Sequence, residues 1–137
     1  MKRAIYVLIA LVIASCSEKK LVGFGDAKLG MSINEFNQRF GTTYPEDELL
    51  YENFDTLNVD KNLTLKKGSV HFTNLKLTKI VTVYDAKLFT FLKQYGIKEI
   101  NNEGVIFTSD DSIFCTAGKK FGKYILIGII DQKNDRS

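Results

Sequence analysis

Two short segments, at 32–41 and 85–96, carry complete helix start and stop signals, and each is followed by β-branched runs. In the first, Ser32 and Glu35 form a Ser-x-x-Glu capping box, and Met31 and Phe36 occupy the staple positions around it. Ile33, Phe36 and Phe40 share a face, and Gly41 follows as the terminating residue. This predicts a helix over 32–40. In the second, Asp85 is the N-cap of a helix predicted over 86–95, with Leu88, Phe91, Leu92 and Tyr95 as its buried stripe. Gly96 is placed as its C′ residue, with Ile97 set to touch Leu92 as in a Schellman motif.

Pro45, the only proline, breaks the first helix and opens a loop. Strands are then predicted near 56–59, 63–66 and 69–73. The run 75–84 is β-branched and long enough for a central strand. After the second helix, 105–108, 112–117 and 124–130 read as an antiparallel meander, with 118–122 as a loop. The last run is apolar on both faces, as a central or covered strand would be. The tail, 132–137, is polar and expected to fray. Glu35–Gly41 aligns loosely with Thr90–Gly96, a hint of an internal repeat. The fold class is therefore α+β: two short helices packed on a mainly antiparallel sheet, with a twofold helix-plus-strands repeat as a candidate organisation.

The N-terminus has a different character. Lys2 and Arg3 precede an apolar run, Ala4–Ala14, which ends in Ile13-Ala14-Ser15-Cys16. The run is too short to span a bilayer, which takes about 20 residues. Ile13–Cys16 resembles the lipobox of bacterial lipoprotein precursors. That resemblance implies a signal peptide at 1–15 and a diacylglyceryl group on Cys16, the first mature residue. Ser17, in place of Asp, is similar to lipoproteins sorted to the outer membrane. The expectation is a lipid-anchored protein on the periplasmic face of that membrane. Residues 16–28 are then the lipidated cysteine and a tether, 29–131 a single domain and 132–137 the tail. From Ser17 to Lys28 the tether reaches at most about 40 Å. Loss of Lys2 and Arg3 takes the formal net charge from +3 to +1. Overall charge gives no nucleic-acid footprint.

Catalytic constellations are sparse. His71 is the only histidine and is expected to point into solvent, because Val70 and Phe72 flank it on a strand. With one histidine and no Gly-x-Ser-x-Gly elbow, no nucleophile–base triad is legible. Metal sites need three or four converging ligands, and the His and Cys supply is too small. Gly118–Gly122 holds glycines and lysines without P-loop spacing. Asp110-Asp111 reads as a turn, and Cys115 as a small buried apolar residue. The expectation is a non-enzyme with no cofactor and no metal.

Charge is unevenly distributed. Residues 44–60 hold Glu46, Asp47, Glu48, Glu52, Asp55 and Asp60 and no base. Residues 61–98 hold eight lysines against Asp85. Lys66, Lys67, Lys76 and Lys79 are the candidate partner-binding residues, for anionic headgroups or an acidic partner. The competing reading is that lysines on strands and edges block unwanted pairing. Leu29–Phe36, with Phe40-Gly41 closing the helix, resembles the Gly-Met-Ser/Thr-x-x-Glu/Gln-hydrophobic helix of small envelope lipoproteins. These are the outer-membrane-assembly (BamE/SmpA-type) lipoproteins and the β-lactamase-inhibitor-type repeat domains. The resemblance implies a non-catalytic module that binds another envelope protein in an accessory, assembly or inhibitory role. The alternative is a small-molecule or lipid site between helix and sheet, lined by Phe36, Phe40, Phe89, Phe91 and Tyr95.

Overall fold

The computed structural model describes residues 20–96, 104–108, 113–121 and 124–136. Its strands are β1 (Gly23–Phe24), β2 (Ala27–Lys28), β3 (Leu49–Asp60), β4 (Leu63–Thr73), β5 (Lys76–Val83), β6 (Gly104–Thr108), β7 (Ile113–Phe121) and β8 (Tyr124–Asp131). Helix α1 (Ile33–Phe40) follows β2, and helix α2 (Ala86–Lys93) follows β5. β1 and β2 form a small ribbon, and the other six strands form one antiparallel sheet in the order β3-β4-β5-β8-β7-β6. The fold is α+β, as the sequence predicts. The sheet order has a twofold layout. Each helix is followed by three strands, the last of each trio is central, and the first lies at an edge.

Local chemistry explains both helices. Ser32 Oγ accepts from the Glu35 N–H at 3.1 Å, and the Ser32 hydroxyl donates to the Glu35 carboxylate at 3.3 Å. Asp85 accepts from the Leu88 N–H at 2.9 Å. Each cap supplies a partner for an amide that has none within its helix. Gly41 (φ 67°) ends α1 in the left-handed region that glycine enters without a steric penalty. α2 stops before residue 95. Its end tightens into i→i−3 bonds from Gln94, Tyr95 and Gly96. Ile97 lies outside the described residues.

A single core joins the helices to one face of the sheet. Ile33 and Phe36 of α1 and Leu88 and Leu92 of α2 are buried with Phe72, Leu77, Ile80 and Ile129. Phe36 meets Phe72 edge-on at 5.4 Å and tilts against Phe40 at 4.5 Å. Along β3 and β4 the buried set changes parity. Leu50, Val70 and Phe72 are buried on one side of Lys67; Leu57, Val59, Leu63 and Leu65 on the other. Lys67 has φ 49°, and this local turn of the ribbon accompanies the switch. Gly68 lies beneath it, where a Cβ would run into the Val81 carbonyl and the Phe54 ring.

Four expectations are corrected. The folded part begins before Leu29, because Leu21, Phe24 and Ala27 are fully buried and the Asp26 N–H bonds Val59 O at 2.6 Å. The first long strand runs from Leu49 rather than 56, held by continuous pairing to β4. The stretch 118–121 belongs to β7, which bulges between Ala117 and Lys119 and continues to Phe121. The tail is docked. Thr78 Oγ1 donates to Asp135 Oδ1 at 2.8 Å, and the Arg136 N–H donates to Thr73 Oγ1 at 3.1 Å.

Gly68→Ala is expected to destabilise the purified protein by at least about 2 kcal/mol, since backbone and a ring must both move. Ser32→Ala, which removes one cap, costs about 1 kcal/mol. Urea denaturation of both variants checks the order; a milder effect for Gly68→Ala would contradict this packing.

Candidate functional site

Strand alternation puts one set of side chains under the helices and the other on the opposite face. That second face carries Tyr51, Ser69, His71, Lys79, Val81 and Ile130, placed side by side by the pairs Tyr51↔His71, His71↔Lys79 and Lys79↔Ile130. Val81 and Ile130 are half-buried. At the outer strand, Leu49 and Tyr51 are 61% and 57% exposed, unusual for such large apolar groups. β3 pairs only with β4 among the described residues, so its other edge is unpaired there. At one end of that edge the Asp26 N–H takes the Val59 carbonyl.

His71 corrects the expectation of a solvent-facing ring. Val70 and Phe72 do face the core, and His71 does point away from it, but only 7% of it is exposed. Tyr51 covers it edge-on, with ring centroids 4.4 Å apart. Its Nε2 lies 3.1 Å from Ser69 Oγ, and its Nδ1 is buried without a hydrogen-bond partner. Burial, chiefly, and the Lys79 charge beside it lower the imidazole pKa from 6.5 to about 4, against the opposing pull of Asp135. The ring is neutral at pH 7. The Ser69–His71 spacing suits a nucleophile and its base, but Nδ1 has no carboxylate to orient it, and Ser69 is itself only 6% exposed. The geometry is that of a packed polar contact. The pairing was legible in principle, because residues i and i+2 of a strand share a face.

The four candidate lysines do not converge. Lys66 and Lys67 lie at the turn of the ribbon, while Lys76 pairs with Thr73, about 23 Å further along β4. Lys79 stands between them, half-buried beside His71. The uneven charge of the sequence is also interleaved by the fold. The acid-rich strand β3 runs antiparallel to β4, so Asp55 falls across from Lys67, between the pairs Phe54↔Gly68 and Thr56↔Lys66. β4 and β5 are interior strands, so these lysines block no edge, and the local pairing of opposite charge fits a solvated strand face.

An open groove of about 660 Å³ separates α1 from the β1–β2 ribbon, lined by Asp26, Lys28, Met31, Glu35, Gln38 and Arg39. Arg39 and Asp26 form an exposed ion pair across it at 2.8 Å. No three His, Cys, Asp or Glu side chains among the described residues are grouped to hold a metal ion. No helix among them is long and apolar enough to cross a membrane. Cys16 and Asp110-Asp111 lie outside the described residues. Cys115 lies on β7, in register with Phe107 and Ile129.

Burial of His71 gives a signed pH dependence. The unfolded chain takes up the imidazole proton near pH 6.5, the folded chain only near 4. Stability therefore falls as pH drops through that window, by up to about 3 kcal/mol from this one group. The urea midpoint is expected to drop between pH 7 and pH 5, and clearly less so in a His71→Gln variant; equal drops would contradict the assignment. Comparison with protein-family models, curated proteins and solved structures found no match.

Proposed function

We propose that this chain is a non-catalytic, membrane-anchored domain of the bacterial envelope that binds another envelope protein in an accessory, assembly or inhibitory role. The observation that carries this reading is the exposure of Leu49 and Tyr51 on β3, an edge strand whose outer side is unpaired among the described residues. Large apolar side chains held in water at a sheet edge are a cost unless something covers them. The alternative, a ligand between helix and sheet, has less in its favour. Phe36 is fully buried against Phe40, Tyr44 and Phe72, so the aromatic residues near α1 fill that space.

The anchor follows from the lipobox resemblance at Cys16 and from two acyl chains, which together give stable membrane attachment. Because Leu21 is already buried, only Ser17–Lys20 separate Cys16 from the domain. Four extended residues reach about 14 Å. The partner is therefore met close to the membrane surface.

Cys16→Ala is expected to move the protein from the membrane to the soluble fraction on cell fractionation. Retention in the membrane would overturn the anchor. A photo-cross-linker carried at the exposed Leu49 in the lipidated protein is expected to give one discrete protein adduct by mass spectrometry. Lipid adducts alone would instead favour the ligand-binding alternative.

A further inference from the structure

We infer that the edge of β3 left unpaired among the described residues is a strand-addition site for an extended, lysine- or arginine-bearing segment of the partner, an inference that rests on the protein-binding reading. β3 is a 12-residue strand that keeps one register with β4 from Leu49 to Asn58, interrupted only opposite Lys67. Such an edge presents a row of backbone donors and acceptors to any extended chain that lies beside it. The Asp26 N–H already occupies the Val59 carbonyl, which bounds the open stretch at one end. At the other end the ladder to β4 runs on past Leu49, the Asn74 N–H donating to the Glu48 carbonyl on the paired side. On the outer side the stretch Leu49–Asn58 has no strand partner among the described residues.

The side chains on this stretch select the occupant. Leu49 and Tyr51 are exposed and offer apolar contact to alternate residues of an added strand. Asp55 is exposed within the strand, and Glu46, Asp47 and Glu48 are exposed just before it. No base occurs from 44 to 60. A second copy of this chain is a poor occupant, because β3 against β3 sets acid beside acid. A basic extended segment meets the apolar pair with its own alternate residues and the acids with its cations.

The test places a photo-cross-linking residue at Asn53, Lys66 or Gln38 of the full, lipidated chain in cells. Asn53 is expected to give a discrete adduct to another protein, mapped to a peptide that carries Lys or Arg. The exposed pair E48K/D55K is expected to lower its yield by about tenfold or more, with an unchanged thermal melt showing that the fold is intact. If the melt changes, the milder E48Q/D55N is used, with a smaller loss expected. An adduct from Lys66 or Gln38 but not Asn53 would overturn the edge proposal and leave the protein-binding reading standing. So would an Asn53 adduct indifferent to both charge variants, or one to a second copy of this chain. No protein adduct from any of the three positions would overturn the protein-binding reading itself.

Discussion

The β3–β4 ribbon turns its buried side over at Lys67, and much of the architecture depends on that change. Before it, Leu50 and Phe72 face the helices; beyond it, Leu57, Val59, Leu63 and Leu65 are the buried set. Without the turn, one of these sets would stand in water. Gly68 makes the turn sterically possible, since any larger residue would meet β5 backbone and the Phe54 ring at once. The outer part of the ribbon gains its own cover. Gly25 and Asp26 of the β1–β2 ribbon lie on the Val59 backbone, and Leu21, Phe24 and Ala27 join the same core. The N-terminal segment is thus part of the domain, which shortens any tether to a few residues.

The twofold layout explains why one edge matters. Two helix-plus-three-strand units meet through β5 and the apolar β8, so these two strands become central and the first strand of each unit is left outermost. An outermost strand need only bury one face and can carry acids and exposed apolar groups, as β3 does. The second face of the sheet is held partly closed by local devices. Tyr51 shields His71, and Asp135 and Arg136 tie the tail to Thr78 and Thr73.

The parts of the fold legible in the sequence are those governed by local chemistry. Ser32 and Asp85 announce their helices through capping geometry, and the β-branched run at 75–84 announces the central strand. The start of β3 was hidden because Leu49–Asp55 mixes acids, an asparagine and apolar residues on an edge, and because the parity change disrupts simple alternation. Val70 and Phe72 fix the face of His71, but not its burial, since a ring from the neighbouring strand covers it, and that contact is set by register rather than by local pattern. The tail looked free because its hydrogen bonds reach residues far away in sequence. The candidate lysines formed a cluster along the chain but not in space. The outer side of β3, unpaired among the described residues, has no signature in the sequence because it is a property of strand order.

Native-state hydrogen exchange, read residue by residue, tests this architecture most directly. The account predicts strong protection along β4, β5 and β8, and fast exchange for alternate amides of Leu49–Asn58, those directed away from β4. Uniform protection along β3 would contradict it, because that edge would then be covered already within the protein itself.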